Sequence, residues 1–409
     1  MTRKIPFVPI FIFALVFLLI NGYAVSALAP LISGALLPWL WVFPIVILAT
    51  FSFNLSRLSV DGQTNLFKIS AHVLLVYFVS LLVFVLTEVF TDLYRLIIGV
   101  TGYFAERSFV YPERPLIGVY IGILLASLII IAFIYGISRG KYAYRVIKHI
   151  LYFEDLPNAF DGFTLAQISD VHAGSLKNPK AVQKGIDLIN HQKADLFVFT
   201  GDLVNNKAEE IKPYINHFSQ IKAPFGQFSV LGNHDYGDYV KWESDSAKRE
   251  NIQQLKNYHA EIGFKLLLDE HIKLKRNDQT ITLLGIENWG LGFGERGDLA
   301  KALQGTTKDE FKILLSHDPS HWEAQVKNHA SKIHLSLAGH THGMQFGIEA
   351  FGIKWSPVQF RYKHWAGIKK ENHRYLNVNR GFGFIGFSGR VGIWPEITVI
   401  ELRKSKTKH

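Results

Sequence analysis

The chain has 409 residues, of which 48% are hydrophobic, so it is too long for one ordinary domain and too apolar for an average soluble protein. It contains no cysteine, which excludes disulfides and thiolate metal sites. The formal net charge is +10, but over half of the basic excess lies in the apolar residues 1–150. This distribution favours contact with anionic headgroups of a lipid bilayer, and no nucleic-acid partner is expected.

Four long apolar segments follow one another at the start of the chain. No charged residue occurs from Ile5 to Ser56, which leaves room for two membrane helices of roughly 20 residues each, with Pro30 at the turn. Two further spans are predicted at Ile69–Phe90 and Leu116–Ile137. Any one of them could be a buried core helix, but four in succession predict an α-helical transmembrane domain over residues 1–138.

The first span leaves one alternative open. Arg3 and Lys4 precede the first apolar stretch, and Ala27–Ala29 resembles the small-residue cleavage site of a signal peptide. Pro30 directly after that site disfavours cleavage. In either case the other three spans would hold the protein in the membrane.

Basic residues near the spans predict the orientation of the chain. The residues on one side of the membrane are Arg3, Lys4, Arg57, Lys68, Arg139, Lys141, Arg145 and Lys148. The positive-inside rule makes that side cytoplasmic, although Arg95, Arg107 and Arg114 in the second outer loop make the bias moderate. We therefore expect a multi-pass protein of the cell membrane with both termini, and the domain that follows the spans, in the cytoplasm.

A second domain follows the membrane segments. Residues 139–160 are predicted to form a basic interfacial linker that leads through Pro157 into it. Beyond this linker, short β-rich runs such as "FTLAQISD", "DLFVFTGD" and "FKILLSH" alternate with polar helical stretches. The alternation predicts an α/β domain over residues 161–405 with largely buried strands.

Several predicted strands end on a side chain that can bind a metal ion. These residues are Asp170, His172, Asp202, Asn233, His234, His317, His340 and His342. Ligands of open α/β sheets gather beyond the carboxyl ends of the strands. Each short motif alone occurs by chance, and a lone histidine is more often structural than a ligand. Their joint placement at successive strand ends predicts one shared site.

Five motifs carry a resemblance to a known family. "ISDVHAG", "TGDLVNN", "LGNHDY", "LLSHDP" and "LAGHTHGMQ" occur in this order and resemble the signature blocks of the calcineurin-like metallophosphoesterases. "GHTH" together with the closing "RVGIWPEITVIEL" is similar to the membrane-attached branch of that family. Met344 stands where a second glycine is expected, a departure that removes no expected ligand.

The resemblance implies a sandwich of two β-sheets flanked by helices, with two divalent ions at the strand ends. The implied ligands are Asp170, His172 and His342 for the first ion, Asn233, His317 and His340 for the second, and Asp202 for both. Oxygen and imidazole ligands without thiolate suit Mn²⁺, Fe or Zn²⁺. Two ions about 3.5–4 Å apart would lower the pKa of a bridging water and clamp phosphate oxygens for in-line attack.

The resemblance also implies roles for residues that bind no metal. His234 would face the substrate and assist the leaving group, with Asp235 orienting it; the alternative is that His234 only packs against the site. Arg380 and Arg390 follow late strands and are candidates for phosphate binding, with ordinary surface arginines as the alternative. His334 is expected to be a core or surface residue.

We therefore expect a membrane enzyme that hydrolyses a phosphomonoester or phosphodiester. A lipid-linked substrate, such as a phospholipid or a nucleotide-lipid precursor, is a hypothesis based on the four spans and the basic linker. The competing class is a catalytically weak membrane sensor or scaffold with the same fold, which the complete ligand set disfavours. A transporter would need polar residues inside the spans, and these are nearly absent. The sequence leaves the substrate, the native metal and the oligomeric state open.

Overall fold

The computed structural model describes residues 7–61 and 64–405. The chain divides between Tyr135 and Gly136 into an N-terminal and a C-terminal unit. The N-terminal unit is helical, and its helices are α1 (Phe7–Leu28), α2 (Val42–Asp61), α3 (Asn65–Glu106) and α4 (Leu116–Ser138). Within the described ranges these four are long and apolar enough to cross a membrane, which confirms the predicted four-span domain.

Helix α3 is longer than the sequence predicted. It has 42 residues, which at 1.5 Å per residue is roughly 60 Å and about twice the thickness of a bilayer's hydrocarbon core. The segment after Phe90, predicted as an outer loop, is helical to Glu106, and Asp92 within it has partners in Arg95 and Tyr23 at 2.5 and 2.6 Å. Glu88, the acid inside the span, is buried, with Arg114 Nε at 3.6 Å from its carboxylate.

Two six-stranded sheets form the framework of the C-terminal unit. The first has the order β1 (Arg145–Phe153), β16 (Glu396–Lys404), β2 (Thr164–Ile168), β3 (Leu196–Phe199), β4 (Gln227–Ser229) and β5 (Lys265–Leu266). The second has the order β14 (Gly367–Glu371), β15 (Arg374–Val378), β11 (Leu335–Ala338), β10 (Lys312–Leu315), β7 (Gln279–Gly285) and β6 (Glu270–Arg276). Two hairpins lie outside these sheets, β8 (Trp289–Gly290) with β9 (Gly294–Glu295), and β12 (Ile348–Ala350) with β13 (Ile353–Trp355).

Parallel pairing places the predicted ligands at shared sheet edges. Strands β2, β3, β4 and β5 run parallel to one another, as do β7, β10, β11 and β15. Most residues of these central strands are buried and apolar without alternation, as is usual for parallel strands covered on both faces. Since parallel strands all end at the same edge, the loops after β2, β3 and β4 are neighbours, and so are those after β10 and β11.

The hydrophobic core has three layers. The central layer packs Leu165, Leu196 and Val198 of the first sheet in one cluster with Ile313 and Leu337 of the second. Helices α5 (Pro179–His191), α6 (Ile215–Phe218) and α7 (Asp245–Ile262) contribute to the layer that covers the outer face of the first sheet. Helix α8 (Leu299–Leu303) belongs to the corresponding layer on the second sheet. The predicted two-sheet sandwich is therefore confirmed.

A buried polar network joins the two sheets close to the strand ends. Gln167 Nε2 donates to the Ala338 carbonyl at 2.9 Å and to Thr200 Oγ1 at 3.0 Å. Asn377 Nδ2 in turn donates to Gln167 Oε1 at 2.8 Å. Buried amides are costly unless paired, so these bonds favour one alignment of the sheets. That alignment sets the distance between the two groups of ligand loops.

Helix α5 lies so close to the rings of Phe382 and Tyr144 that Gly185 has little room for a side chain. A Cβ there would lie 2.6 Å from Phe382 Cζ and 2.9 Å from Tyr144 Cε2. Alanine would gain about 1 kcal/mol of helix propensity, whereas overpacking a core costs about 1–3 kcal/mol.

We expect Gly185→Ala to lower the melting temperature of the detergent-purified protein, because the steric cost exceeds the gain in helix propensity. The control is Lys184→Ala on the exposed side of the same helix, which should change stability by no more than about 0.5 kcal/mol. A higher melting temperature for Gly185→Ala than for the wild type would contradict this account of the packing.

Candidate metal centre

The structure brings the seven predicted metal ligands together at the strand ends. Asp170 and His172 follow β2, Asp202 follows β3, and Asn233 follows β4. His317 follows β10, while His340 and His342 follow β11. Two groups of three have ligand atoms within 4.8 Å of one another: Asp170, His172 and His342, and Asp202, His317 and His340. The first group is the set that the resemblance implies for the first ion, and the second contains the two histidines implied for the second ion together with Asp202.

In the first group the ligand atoms face one another directly. His172 Nε2 lies 3.0 Å from His342 Nε2, and His342 Nε2 lies 3.3 Å from Asp170 Oδ1. Ligands bound at about 2.0–2.2 Å to one ion and at right angles to each other are about 3 Å apart. The spacing therefore fits a shared divalent ion.

The second group converges on the side-chain oxygen of Asn233. This Oδ1 lies 3.1 Å from His317 Nε2 and 2.9 Å from His340 Nδ1. The amide Nδ2 of Asn233 donates to the hydroxyl of Tyr239 at 2.8 Å. Tyr239 therefore fixes the amide so that its oxygen, which can bind a cation, faces the two imidazoles.

Asp202, a member of the second group, also lies close to the first. Its Oδ2 lies 3.6 Å from His172 Nε2 and 3.2 Å from His317 Nε2. Its Oδ1 accepts a hydrogen bond from the backbone N–H of His234 at 2.8 Å. One carboxylate oxygen therefore faces the ligands of either group, as a bridging ligand requires.

Five of the seven predicted ligands have a left-handed backbone. The φ angles are 53° for Asp170, 46° for His172, 61° for Asp202, 70° for His340 and 50° for His342. This conformation costs non-glycine residues roughly 1–2 kcal/mol each, and it persists only where the surroundings impose it. The chain therefore turns sharply after β2, β3 and β11, which directs these five side chains toward the site.

Gly339 allows two of these turns to approach each other. A Cβ at this position would lie 1.9 Å from Ser169 Oγ and 2.4 Å from Asp170 Oδ2. The backbone N–H of His340 instead donates to Asp170 Oδ2 at 2.9 Å. Glycine is thus required for the loop after β11 to contact the loop after β2.

Burial and charge divide the protonation states of the site. Burial lowers the pKa of His172 to about 3 and that of His340 to about 4, so both imidazoles keep a lone pair for a cation. Burial alone would also lower the pKa of His317, but the Asp202 carboxylate raises it to about 10. Burial would raise the pKa of Asp202, yet the charge of His317 holds it well below its usual range. Negative charge is therefore concentrated at Asp202. A cation bound there would stabilise this charge in place of the proton on His317.

The ligand histidines are oriented by groups behind them. His317 Nδ1 lies 2.7 Å from the Thr200 carbonyl, and His340 Nε2 lies 3.3 Å from Asp318 Oδ2. Tyr362 donates its hydroxyl to the same carboxylate oxygen at 3.1 Å. Such contacts fix the ring and tautomer of a metal-binding imidazole. No role for Asp318 was predicted from the sequence, in which its place directly after His317 in "LLSHDP" is the available signal.

His234 lies at the edge of the centre, as the sequence indicated, but it has a different partner. Its ring centroid is 5.0 Å from that of His172, its side chain is half-buried, and its Nδ1 lies 2.8 Å from the Asn205 carbonyl. Asp235 accepts backbone N–H groups of Asp202, Leu203 and Gly232 at 2.8–2.9 Å. The expectation that Asp235 orients His234 is corrected, since its buried carboxylate is occupied by backbone donors.

Both predicted phosphate-binding arginines are already engaged. Arg390 is fully buried; its Nη2 donates to the carbonyls of Arg380 and Gly383 at 2.7 Å and lies 3.1 Å from His342 Nδ1. Arg380 is buried between Glu349 and Glu396. Neither is a surface arginine, and a contact of either with phosphate remains a prediction. His334 lies in the core, where its Nδ1 accepts the Lys312 backbone N–H at 3.0 Å.

Comparisons with known proteins agree with the two units of the chain. Residues 5–141 match the family model described as "Probable Calcineurin-like phosphoesterase, transmembrane domain", and residues 163–344 match the model described as "Calcineurin-like phosphoesterase". The uncharacterized metallophosphoesterase YkuE of Bacillus subtilis is 28% identical over 66% of this chain and 90% of its own length.

Another relative is named as a transmembrane protein. The "transmembrane protein with metallophosphoesterase domain" of Danio rerio is 27% identical over 66% of this chain, which spans 60% of that protein's length. The five motifs, the strand-end ligands and both family models therefore agree. The chain belongs to the calcineurin-like metallophosphoesterases that carry an N-terminal four-helix transmembrane domain.

Proposed function

We propose that this chain is a membrane-bound hydrolase that cleaves a phosphomonoester or phosphodiester with the help of two divalent ions. The observation that carries the proposal is the position of Asp202 Oδ2 between His172 and His317, each of which belongs to a separate group of ligands. Two such ions, Mn²⁺, Fe or Zn²⁺ by the donor set, would supply an acidified water as nucleophile and neutralise charge on the phosphate.

His234 is the group of this chain that can move a proton during the reaction. Its Nδ1 faces the Asn205 carbonyl, an acceptor only, so Nδ1 carries a hydrogen. When the imidazole is protonated on both nitrogens, Nε2 is the atom that can give a proton to the departing oxygen, which leaves a neutral ring with its hydrogen on Nδ1. Packing against Tyr239, with ring centroids 4.5 Å apart, holds the imidazole at the edge of the centre. This arrangement supports a general acid beside, and outside, the ligand set.

The alternative is a catalytically weak sensor or scaffold with the same fold. Against it stand the complete set of ligands and their strained backbone, because a site without function gains nothing from five left-handed residues.

We further propose that the hydrolase domain lies on the cytoplasmic side and that its substrate is lipid-linked. The basic residues that follow α4, Arg139, Lys141, Arg145 and Lys148, support the first point by the positive-inside rule. The four spans support the second, because they keep the hydrolase domain close to lipid phosphates.

Removal of metal should abolish hydrolysis, and Mn²⁺ or a similar ion should restore it, because the nucleophile depends on the ions.

Asp202→Ala should lower both metal content and kcat/KM, the latter by more than about 10²-fold, since changes behind metal ligands alone cost about 10–100-fold. Metal analysis and assays on nitrophenyl phosphate test this. The matched control is Asp187→Ala at an exposed position of α5. Wild-type metal content and activity in Asp202→Ala would refute the bridging role.

His234→Ala should separate the acid from the ligands. We expect it to keep its metals, to lose about 10²–10⁴-fold in kcat on an alkyl phosphate, as is usual for a general acid, and to lose much less on a nitrophenyl ester. His317→Ala should instead lose metal and slow both substrates, while His191→Ala, at an exposed position, should change neither. Equal slowing of both esters by His234→Ala with its metals intact would make His234 a positioning group.

The orientation can be tested with single cysteines, since the chain has none of its own. Cysteines replacing the exposed Lys207 and Lys404 should resist a membrane-impermeant thiol reagent in intact cells and react after lysis. A cysteine replacing the exposed Glu113, between α3 and α4, is the matched control and should react in intact cells. The opposite pattern would place the hydrolase domain outside the cell.

A further inference from the structure

The hairpin of β12 and β13, which we call the apolar hairpin (Ile348–Trp355), exposes its apolar face. Ile348 pairs with Trp355, and Ala350 pairs with Ile353. Opposite residues of an antiparallel pair share a face, and residues two apart share it too. These four apolar residues therefore lie on one face, and all four are exposed.

The polar face of the apolar hairpin is the one that is held by the domain. Glu349 pairs with Arg380 at 2.5 Å. Lys354 Nζ donates to the Ala366 carbonyl at 2.5 Å and lies 5.0 Å from the centre of the Trp365 ring. An antiparallel ribbon of a soluble protein turns its apolar face to the core. Here the apolar face is the exposed one.

The tip of the apolar hairpin adds a strained and exposed aromatic residue. Phe351 and Gly352 form its two-residue turn, with φ angles of 55° and 79°. Such turns favour asparagine, aspartate or glycine at the first position, and a bulky residue there is unfavourable. Phe351 is fully exposed, at 102%, and Phe360 shortly after the hairpin is exposed to 84%. Strain without an internal contact points to a contact outside the domain.

The apolar hairpin is attached to the candidate metal centre. It begins six residues after His342, and the exposed Met344 lies between them. At its end, Ser356 Oγ donates to the Gly343 carbonyl at 2.8 Å. Thr341 Oγ1, between the two histidines of "GHTH", donates to the Trp365 carbonyl at 2.7 Å. Whatever the hairpin contacts is therefore held beside the rim of the centre.

The charges around the apolar hairpin are positive. Within residues 346–363 the charged residues are Glu349, Lys354, Arg361 and Lys363. The acid pairs with Arg380, which also pairs with Glu396, whereas Arg361 and Lys363 are exposed. Exposed aromatic and aliphatic side chains next to basic ones are typical of surfaces that lie in the headgroup layer of anionic membranes.

We propose that the apolar hairpin, together with Phe360, inserts into the interface of an anionic lipid bilayer and holds the candidate metal centre against lipid phosphates. The chain is tied to a bilayer by its four spans, so a few apolar side chains meet lipid at a high effective concentration. Contact with the bilayer does not depend on the proposed hydrolysis; only the use of lipid phosphates as substrates rests on it.

The contact is tested in the full chain, reconstituted in vesicles of phosphatidylcholine and phosphatidylglycerol. An environment-sensitive fluorophore on Phe351→Cys should shift to the blue and be quenched by lipids with a nitroxide near the headgroup. The matched control is Asp278→Cys, whose native side chain is fully exposed and which should show neither effect. Water-like emission at position 351 would overturn the proposal. So would a blue shift that nitroxide lipids do not quench and that disappears when the protein is diluted in lipid, since it would show a second copy of the chain.

A second measurement uses activity. Phe351→Asp combined with Ile353→Asp should lower turnover of phosphatidic acid in the vesicles on the order of tenfold, because apolar burial in the interface is lost, and leave turnover of nitrophenyl phosphate unchanged. Phe351→Trp combined with Ile353→Leu should keep both. Unchanged phosphatidic acid turnover in the aspartate variant would overturn the lipid-delivery role. If the wild type hydrolyses neither substrate, the proposed function fails, while the fluorescence result still decides the membrane contact.

Discussion

The carboxylate of Asp202 is the group on which the C-terminal unit is organised. It is buried. The Nε2 atoms of His172 and His317 lie 3.6 and 3.2 Å from its Oδ2, and His340 belongs to the same ligand group. Taking such groups out of water is costly unless charge and hydrogen bonds compensate. Some compensation comes from His317 and from the backbone N–H of His234. The remainder, together with roughly 1–2 kcal/mol for each left-handed ligand, is what cation binding would offset. The fold therefore groups side chains that positive charge would stabilise.

Two buried charged residues outside the ligand set hold the loops in this arrangement. Asp235 accepts backbone N–H groups from both its own loop and the Asp202 loop, so the ends of β3 and β4 are fixed together. Arg390 reaches from the segment before β16 to the carbonyls of Arg380 and Gly383 and to His342. Motif residues of this kind resemble catalytic groups in the sequence, but their contacts are with the protein. Their removal should act through the position of the ligands.

The sequence predicted the parts of this structure that depend on local pattern. Buried apolar runs that end on aspartate or histidine indicated both the parallel strands and the residues that meet at their ends, as with Asp170 after β2 and His340 after β11. Contacts between distant segments could not be predicted from local pattern. Examples are the contact of the Asn205 carbonyl with His234 and that of Asp318 with His340. The extra turns of α3 were missed because the predicted span stops at Phe90, about the length that a bilayer needs, whereas the helix continues to Glu106. The apolar hairpin shows the same limit, since alternation gives two faces but not which of them the domain covers.

The four spans favour a substrate that is itself confined to the bilayer. A domain tied to four spans samples only a thin layer of solvent next to the bilayer, and a soluble phosphoester gains nothing from that confinement. A phosphoester with acyl chains is confined to the same layer, so its effective concentration at the site rises without any new contact. Its phosphate still has to reach buried ligands while its chains stay in lipid. The proposed insertion of the apolar hairpin, which lies next to the "GHTH" loop and has basic residues beside it, would meet that requirement for a substrate that remains in the bilayer.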